Sequence, residues 1–228
     1  MRSSLDTPAD GGRVLDVEAK PRWRGWIHLA TTPVAVVLGI VLIVVAHGAA
    51  AKAGSAIFMA TALLLFGVSA IYHLLPAPYA AKPRLRRFDH ANIFLLIAGT
   101  YTPLSLTALV APESTILLVV VWGGALLGIA FRVFWLSAPR WLYVPIYLAL
   151  GWAAVLYAGD LIAFDAIAML LVLAGGVAYS LGAVFYALKR PNPVPGVFGF
   201  HELFHACTSV AFLAQWVGIL LVVQHPVG

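Results

Sequence analysis

Charge is what this sequence has least of. Only 10% of its 228 residues are Asp, Glu, Lys or Arg, against 62% hydrophobic. Soluble domains carry about a quarter charged residues and about half apolar ones, so a water-soluble globular domain is excluded and a polytopic membrane protein remains. Cysteine is nearly absent too. Cys207 stands alone, which rules out an internal disulfide and any C-x-x-C metal or redox motif, and it reads as a small apolar residue inside a helix. The first apolar run does not read as a cleavable leader. Residues 1–25 are polar and charged, and the apolar run from Trp26 is too long for a signal-peptide core and has no small-residue cleavage site behind it. It therefore reads as an uncleaved first span. No internal repeat or low-complexity tract interrupts the pattern.

What is present is a series of seven apolar runs, at about 26–46, 55–75, 89–110, 115–135, 141–158, 162–188 and 200–223. Each approaches the ~20 residues with which a helix crosses a bilayer. Turn signals separate them: Gly54-Ser55, Pro76-Ala77-Pro78, Pro112, Ser137-Ala138-Pro139 and the run Pro191 to Gly196. The net charge of +5 matters here for its location, and no nucleic-acid partner is expected. Thirteen of the 14 Lys and Arg fall in the N-terminal tail and in the second, fourth and sixth connections, leaving only Lys52 on the other side. The positive-inside rule then predicts a seven-transmembrane-helix bundle, an all-α integral membrane protein with its N-terminus cytoplasmic and its C-terminus outside. Residues 1–25 form a flexible cytoplasmic tail in this reading, and residues 26–228 the transmembrane domain. Trp26, Trp122, Trp135, Trp141 and Trp152 read as interfacial anchors.

Within that topology the metal-type residues converge. The stretch "GFHELFHA" contains His201 and His205, four apart and so on one face of the seventh span, at its cytoplasmic end. The second span ends "GVSAIYHLLP", with Ser69 and His73 again four apart. Asp89, in "RRFDHANIF", opens the third span. Ionisable residues inside spans are costly and tend to be functional, and here three segments bring them to one depth. Three neutral imidazoles suit Zn²⁺, and three protein ligands plus water is the open arrangement of a catalytic site. The metal ligands read as His73, His201 and His205, with Asp89 joining through water or taking its proton, and Ser69 supporting it. His28, His47, His90 and His225 read as interfacial or backbone-bonded histidines. Of these His28 shares the cytoplasmic side.

His201 to His205 also spells H-E-x-x-H, the zinc-protease helix, in which the Glu is general base. Such enzymes need a third ligand, usually a downstream Asp or Glu, and none of the 23 residues after His205 is acidic. The third ligand would have to come from upstream, with His73 the obvious donor. Glu202 points about 100° around the helix from His201. It reads more simply as a first-turn carboxylate favoured by the helix dipole, with a catalytic role as the lesser alternative.

These residues resemble the hemolysin III family, bacterial relatives of the progestin and adipoQ receptors. The likeness lies in "VSAIYHLLP", "FDHANIFLLIAGTYTPLSL", "GGVAYSLGAVFYALKRPNPV" and "FHELFH". It implies a seven-helix bundle with zinc near the cytoplasmic face, held by His73, His201 and His205 with Asp89 linked through water, and Ser69 in the first metal motif. The wider superfamily includes alkaline ceramidases, which implies amide hydrolysis on lipids. The receptor-type E-x₂-N-x₃-H motif is not kept: Pro21 and Arg24 stand at its Glu and Asn positions, and only His28 matches. The resemblance also implies a bacterial plasma membrane.

Three functions follow. The first is a zinc-dependent membrane hydrolase of a lipid amide or ester, reached laterally between helices, with membrane lipid or fatty acid as substrate or ligand. The second is a pore-forming, cytolytic protein, for which Asn92, Tyr101 and Gln215 are too scattered to form the polar stripe of a water-filled path. The third is a membrane-homeostasis sensor with structural zinc. The Pro-rich run before the last span rigidifies the site, gates it, or simply breaks the helix. Gly175-Gly176 suits close helix packing.

Overall fold

Lipid offers no hydrogen bonds to a bare peptide group, so a single spanning segment satisfies its own backbone by becoming a helix. A computed structural model describes residues 21–76, 78 and 81–227. Of the flexible tail expected over residues 1–25, residues 1–20 lie outside the described residues. Seven spans follow in order among the described residues: α1 (Trp26–Val45), α2 (Gly48–Leu74), α3 (Lys82–Ala108), α4 (Glu113–Phe134), a fifth span, then α7 (Ala166–Leu188) and α8 (Phe200–Val223). The fifth is composite, made of α5 (Arg140–Gly151), a 3-10 segment (Ala153–Tyr157) and α6 (Ala158–Phe164). The protein is an all-α, multi-pass membrane protein.

Several boundaries differ from the hydropathy reading. α2 starts at Gly48 and α3 at Lys82, each seven residues ahead of its apolar run. Ala49, Ala50, Ala51 and Lys52 are strong helix formers, and Pro83 sits in the first turn of α3, where its missing N–H costs nothing. Hydropathy marks the lipid-embedded part of a helix, not its full length. The fifth and sixth spans part at Asp165, not between 158 and 162. The Asp165 carboxylate accepts the Ala168 N–H at 2.9 Å and caps α7.

α3 is the centre of the bundle. Of its most apolar stretch 78% is buried, against 28% in α1, α4 and α7, and it packs against α2, α4, α5 and α8. Shielded from lipid, it carries polar side chains that close onto backbone. Thr100 and Thr102 donate to the carbonyls of Leu96 and Ala98 at 2.8 Å, and Asn92 reaches across to Leu64 O at 2.8 Å. The outer helices present Val44, Val119, Leu127 and Leu156 outward, an apolar exposure that a bilayer covers.

Trp26, Trp135 and Trp141 are exposed as anchors require. Trp122 and Trp152 instead donate from Nε1 to Thr102 Oγ1 and Ser180 Oγ, both at 3.0 Å, and tie spans together. α7 and α8 approach closely at Gly175, where a Cβ would stand 3.0 Å from the Ala211 carbonyl oxygen.

Short connections make the spans alternate, so the Lys- and Arg-rich connections gather at one end. There the N–H groups of Arg22 and Trp23 bond to the Gly196 and Val197 carbonyls at 3.3 Å, joining the segment before α1 to the α7–α8 connection. At the opposite end His47 N–H meets Val223 O at 2.9 Å and Val227 N–H meets Thr107 O at 2.8 Å.

Candidate metal centre

Three helix ends meet at the basic end of the bundle. α2 contributes His73 from its last turn, and α8 contributes His201 and His205 from its first two turns. Their rings form a nearly equilateral triangle, with centroids 4.9 Å (His73–His201), 5.1 Å (His73–His205) and 4.7 Å (His201–His205) apart. One ring nitrogen from each lies within 4.8 Å of the others, and Nε2 of His73 is 3.2 Å from Nε2 of His201. Tetrahedral zinc with Zn–N near 2.0–2.1 Å sets its ligand nitrogens roughly 3.3 Å apart, so this edge of the triangle has the required length. His205 Nδ1 is buried with no hydrogen-bond partner among the described residues. A buried polar atom left so costs about 1–3 kcal/mol, which only a partner on Nδ1 itself would offset. The donor set is all imidazole, which suits Zn²⁺.

The first turn of α8 is fixed from two directions. Asn192, in the Pro-rich connection, accepts the Phe200 N–H at 3.0 Å. Glu202, fully buried, accepts the Gly199 N–H on Oε2 at 2.9 Å and Arg24 Nε on Oε1 at 2.8 Å. Both carboxylate oxygens are therefore engaged in holding the helix start, and Glu202 is not among the three residues of the metal-type cluster. The Pro-rich run thus does more than break a helix: it caps the one that carries His201.

Asp89 and Ser69 stand beside the triangle. Ser69, one turn before His73, is buried and lines the same cavity as Asp89. Asp89 is half-buried two turns into α3 and outside the three-histidine cluster itself. Two cavities meet here. A vestibule at the basic end is lined by Arg24, Lys82, Arg86 and Arg140. Beyond it an apolar chamber runs into the bundle past Leu65, Ile97, Leu104, Val172 and Phe204 as far as Gln215. Asp89, His90, Tyr186 and His201 line both and form the neck between them.

Two histidines read from sequence as interfacial or backbone-bonded belong to this region. His28 is buried, lines the chamber and stacks on His205, with centroids 3.8 Å apart and planes 12° from parallel. His90 lines the neck. Their signal was depth alone: both sit at the basic end, as His73 does, but neither belongs to an i, i+4 pair of histidines. His47 and His225 lie at the opposite end, His47 with Nδ1 on the Gln224 carbonyl. Of the scattered polar residues, Asn92 and Tyr101 bond to backbone carbonyls of neighbouring segments, and Gln215 lies against Gly175.

Comparison with known proteins agrees on one family. A family profile described as "Haemolysin-III related" matches residues 18–216. A protein named "Hemolysin-3 homolog" from Bacillus subtilis (strain 168) is 36% identical over 135 residues, covering 59% of this chain and 63% of that protein. The chain thus matches somewhat under two thirds of that relative's length. A "Hemolysin-3" from Bacillus cereus is 34% identical over 155 residues, covering 66% of this chain and 70% of that protein. No solved structure matches the chain.

Proposed function

This chain belongs to the haemolysin III-related family, and on that footing we propose that it is a zinc-dependent hydrolase of lipid amide or ester bonds, with its site toward the cytoplasm. The observation that carries the reading is the placement of a three-imidazole triangle at the neck between a basic vestibule and an apolar chamber. An acyl chain fits the chamber, a polar headgroup fits the vestibule, and the bond joining them falls at the neck. The concentration of Lys and Arg at this end supports the cytoplasmic assignment.

His73, His201 and His205 hold the metal, which when bound supplies Lewis-acid polarisation of an acyl carbonyl. Asp89 takes a proton from water at its carboxylate, and the Ser69 hydroxyl orients that carboxylate. The apolar walls exclude bulk water and strengthen every polar contact at the neck.

The relatives' name carries a second reading, cytolysis. It finds less support, because a water-filled path needs a polar lining and this chamber is mostly apolar. The experiment is zinc content and turnover on long-chain amides and esters, for wild type, His205→Ala and Asp89→Asn. The expected result is about one zinc per chain and hydrolysis in wild type, with zinc lost in His205→Ala. Asp89→Asn keeps the metal and loses at least about 100-fold in rate, within the range of a positioned acid–base group. Zinc without hydrolysis would leave a structural metal in a lipid-binding sensor. A zinc-free wild type would remove both.

A further inference from the structure

Arg132, in the last turn of α4, is the largest fully buried side chain among the described residues, with no exposed surface. No carboxylate pairs with it there; the ion pair among the described residues is Arg24–Glu202. Its guanidinium lies over the Tyr143 ring, 4.2 Å from the centroid, and Nη2 is 3.1 Å from Nδ1 of His90. Tyr147 holds the main chain of the same residue, its hydroxyl donating to His90 O at 3.1 Å.

The chemistry of this contact has one solution. A guanidinium has five N–H donors and no acceptor, and it keeps its charge in proteins. The nitrogen that it meets must therefore be the unprotonated acceptor, so the ring proton of His90 sits on Nε2. Which nitrogen of a histidine carries the proton is set by the partner of the other, and here that partner is a buried cation that cannot change role. The ring hydrogen bond of His90 among the described residues is this one on Nδ1, and His90 lines both the vestibule and the chamber, beside Asp89 and His201.

We propose that Arg132 holds His90 as a fixed Nε2–H donor at the neck, and that this N–H hydrogen-bonds the carbonyl oxygen of a bound acyl lipid. The identity of the acceptor rests on the lipid-hydrolase reading; the donor state of His90 does not. Arg132 acts through His90 as a positioning residue. A neutral donor orients the carbonyl without placing a second cation in the neck.

The donor state is read by nitrogen NMR of ¹⁵N-histidine-labelled, zinc-loaded protein in lipid nanodiscs, with the His90 signals assigned by their loss in His90→Gln. The expected signature is a protonated Nε2 and a hydrogen-bonded, unprotonated Nδ1. Arg132→Lys, still a donor, retains it, whereas Arg132→Met shifts it toward a mixture of tautomers. A wild-type His90 protonated on Nδ1 overturns the proposal. The acyl contact is read by binding of N-ethylpalmitamide. His90→Phe weakens it about tenfold, as loss of one well-made hydrogen bond does. His90→Gln, which can still donate, stays within about threefold of wild type, and both variants keep wild-type zinc content. Unchanged binding in His90→Phe overturns the carbonyl contact, and so does loss of zinc from both variants, which would make His90 part of the metal site. Amide that binds through His90 but is never cleaved supports this proposal and counts against the hydrolase reading alone.

Discussion

The imidazole of His28 lies flat against that of His205, with ring centroids 3.8 Å apart and planes 12° from parallel. A histidine of α1 thereby holds in place the deepest histidine of the α8 pair. The flat face of the His28 ring is what the His205 ring meets.

That makes shape the property to test. His28→Phe preserves a flat ring and should keep zinc affinity within about threefold. His28→Ala removes the face and should lower it about tenfold, the lower end of what outer-shell partners contribute. Competition against a chromophoric chelator measures both. Loss of zinc from both variants would instead make His28 a ligand.

If α2 and α8 share a metal, removing it should loosen their junction. A ligand that binds only the folded state at 100 times its Kd adds about 2.7 kcal/mol. A strong chelator should therefore lower the melting temperature of purified wild-type protein. His73→Ala should already melt lower and should not respond to the chelator. An equal chelator response in the variant would place the metal elsewhere.

Glu202 separates a structural from a catalytic carboxylate. Its two oxygens hold the Gly199 N–H and Arg24, and hydrogen bonds to charged groups are each worth about 1.5–3 kcal/mol. Glu202→Gln should lower the melting temperature while the folded fraction keeps its zinc and its turnover. Lost turnover at unchanged stability would return Glu202 to the chemistry.

Adjacent glycines in α7 should behave differently. A Cβ on Gly175 would stand 2.5 Å from Gln215 Cγ and 3.0 Å from the Ala211 carbonyl oxygen, whereas one on Gly176 would stand 3.7 Å from Trp152. Gly175→Ala should destabilise by about 1–3 kcal/mol through overpacking. Gly176→Ala should be neutral or gain the ~1 kcal/mol by which alanine exceeds glycine in a helix. Thermal melts in detergent compare them directly.

Orientation can be read by labelling. In a Cys207→Ser background, Lys52→Cys should react with a membrane-impermeant thiol reagent added outside intact cells. Arg190→Cys should react only after lysis. The reverse pattern would put the basic end outside and overturn the cytoplasmic assignment of the site.

The number of spans, their order and the common depth of His73, Asp89, His201 and His205 were properties of the sequence by itself. Apolar length decides what crosses a bilayer, and i, i+4 spacing puts a pair on one face of its helix. The ends of α2 and α3 were less legible, because those helices continue past their apolar stretches. Asp165 settles where the fifth and sixth spans part through a capping bond to Ala168. What only the tertiary structure decided is how each helix is rotated. In water an apolar stripe reveals the inward face of a helix, but in lipid the outward face is apolar too, and that signal fades. The stacking of His28 on His205, the grip of Arg132 on His90 and the inward turn of Trp122 are consequences of rotation and packing. No spacing along one chain segment contains them.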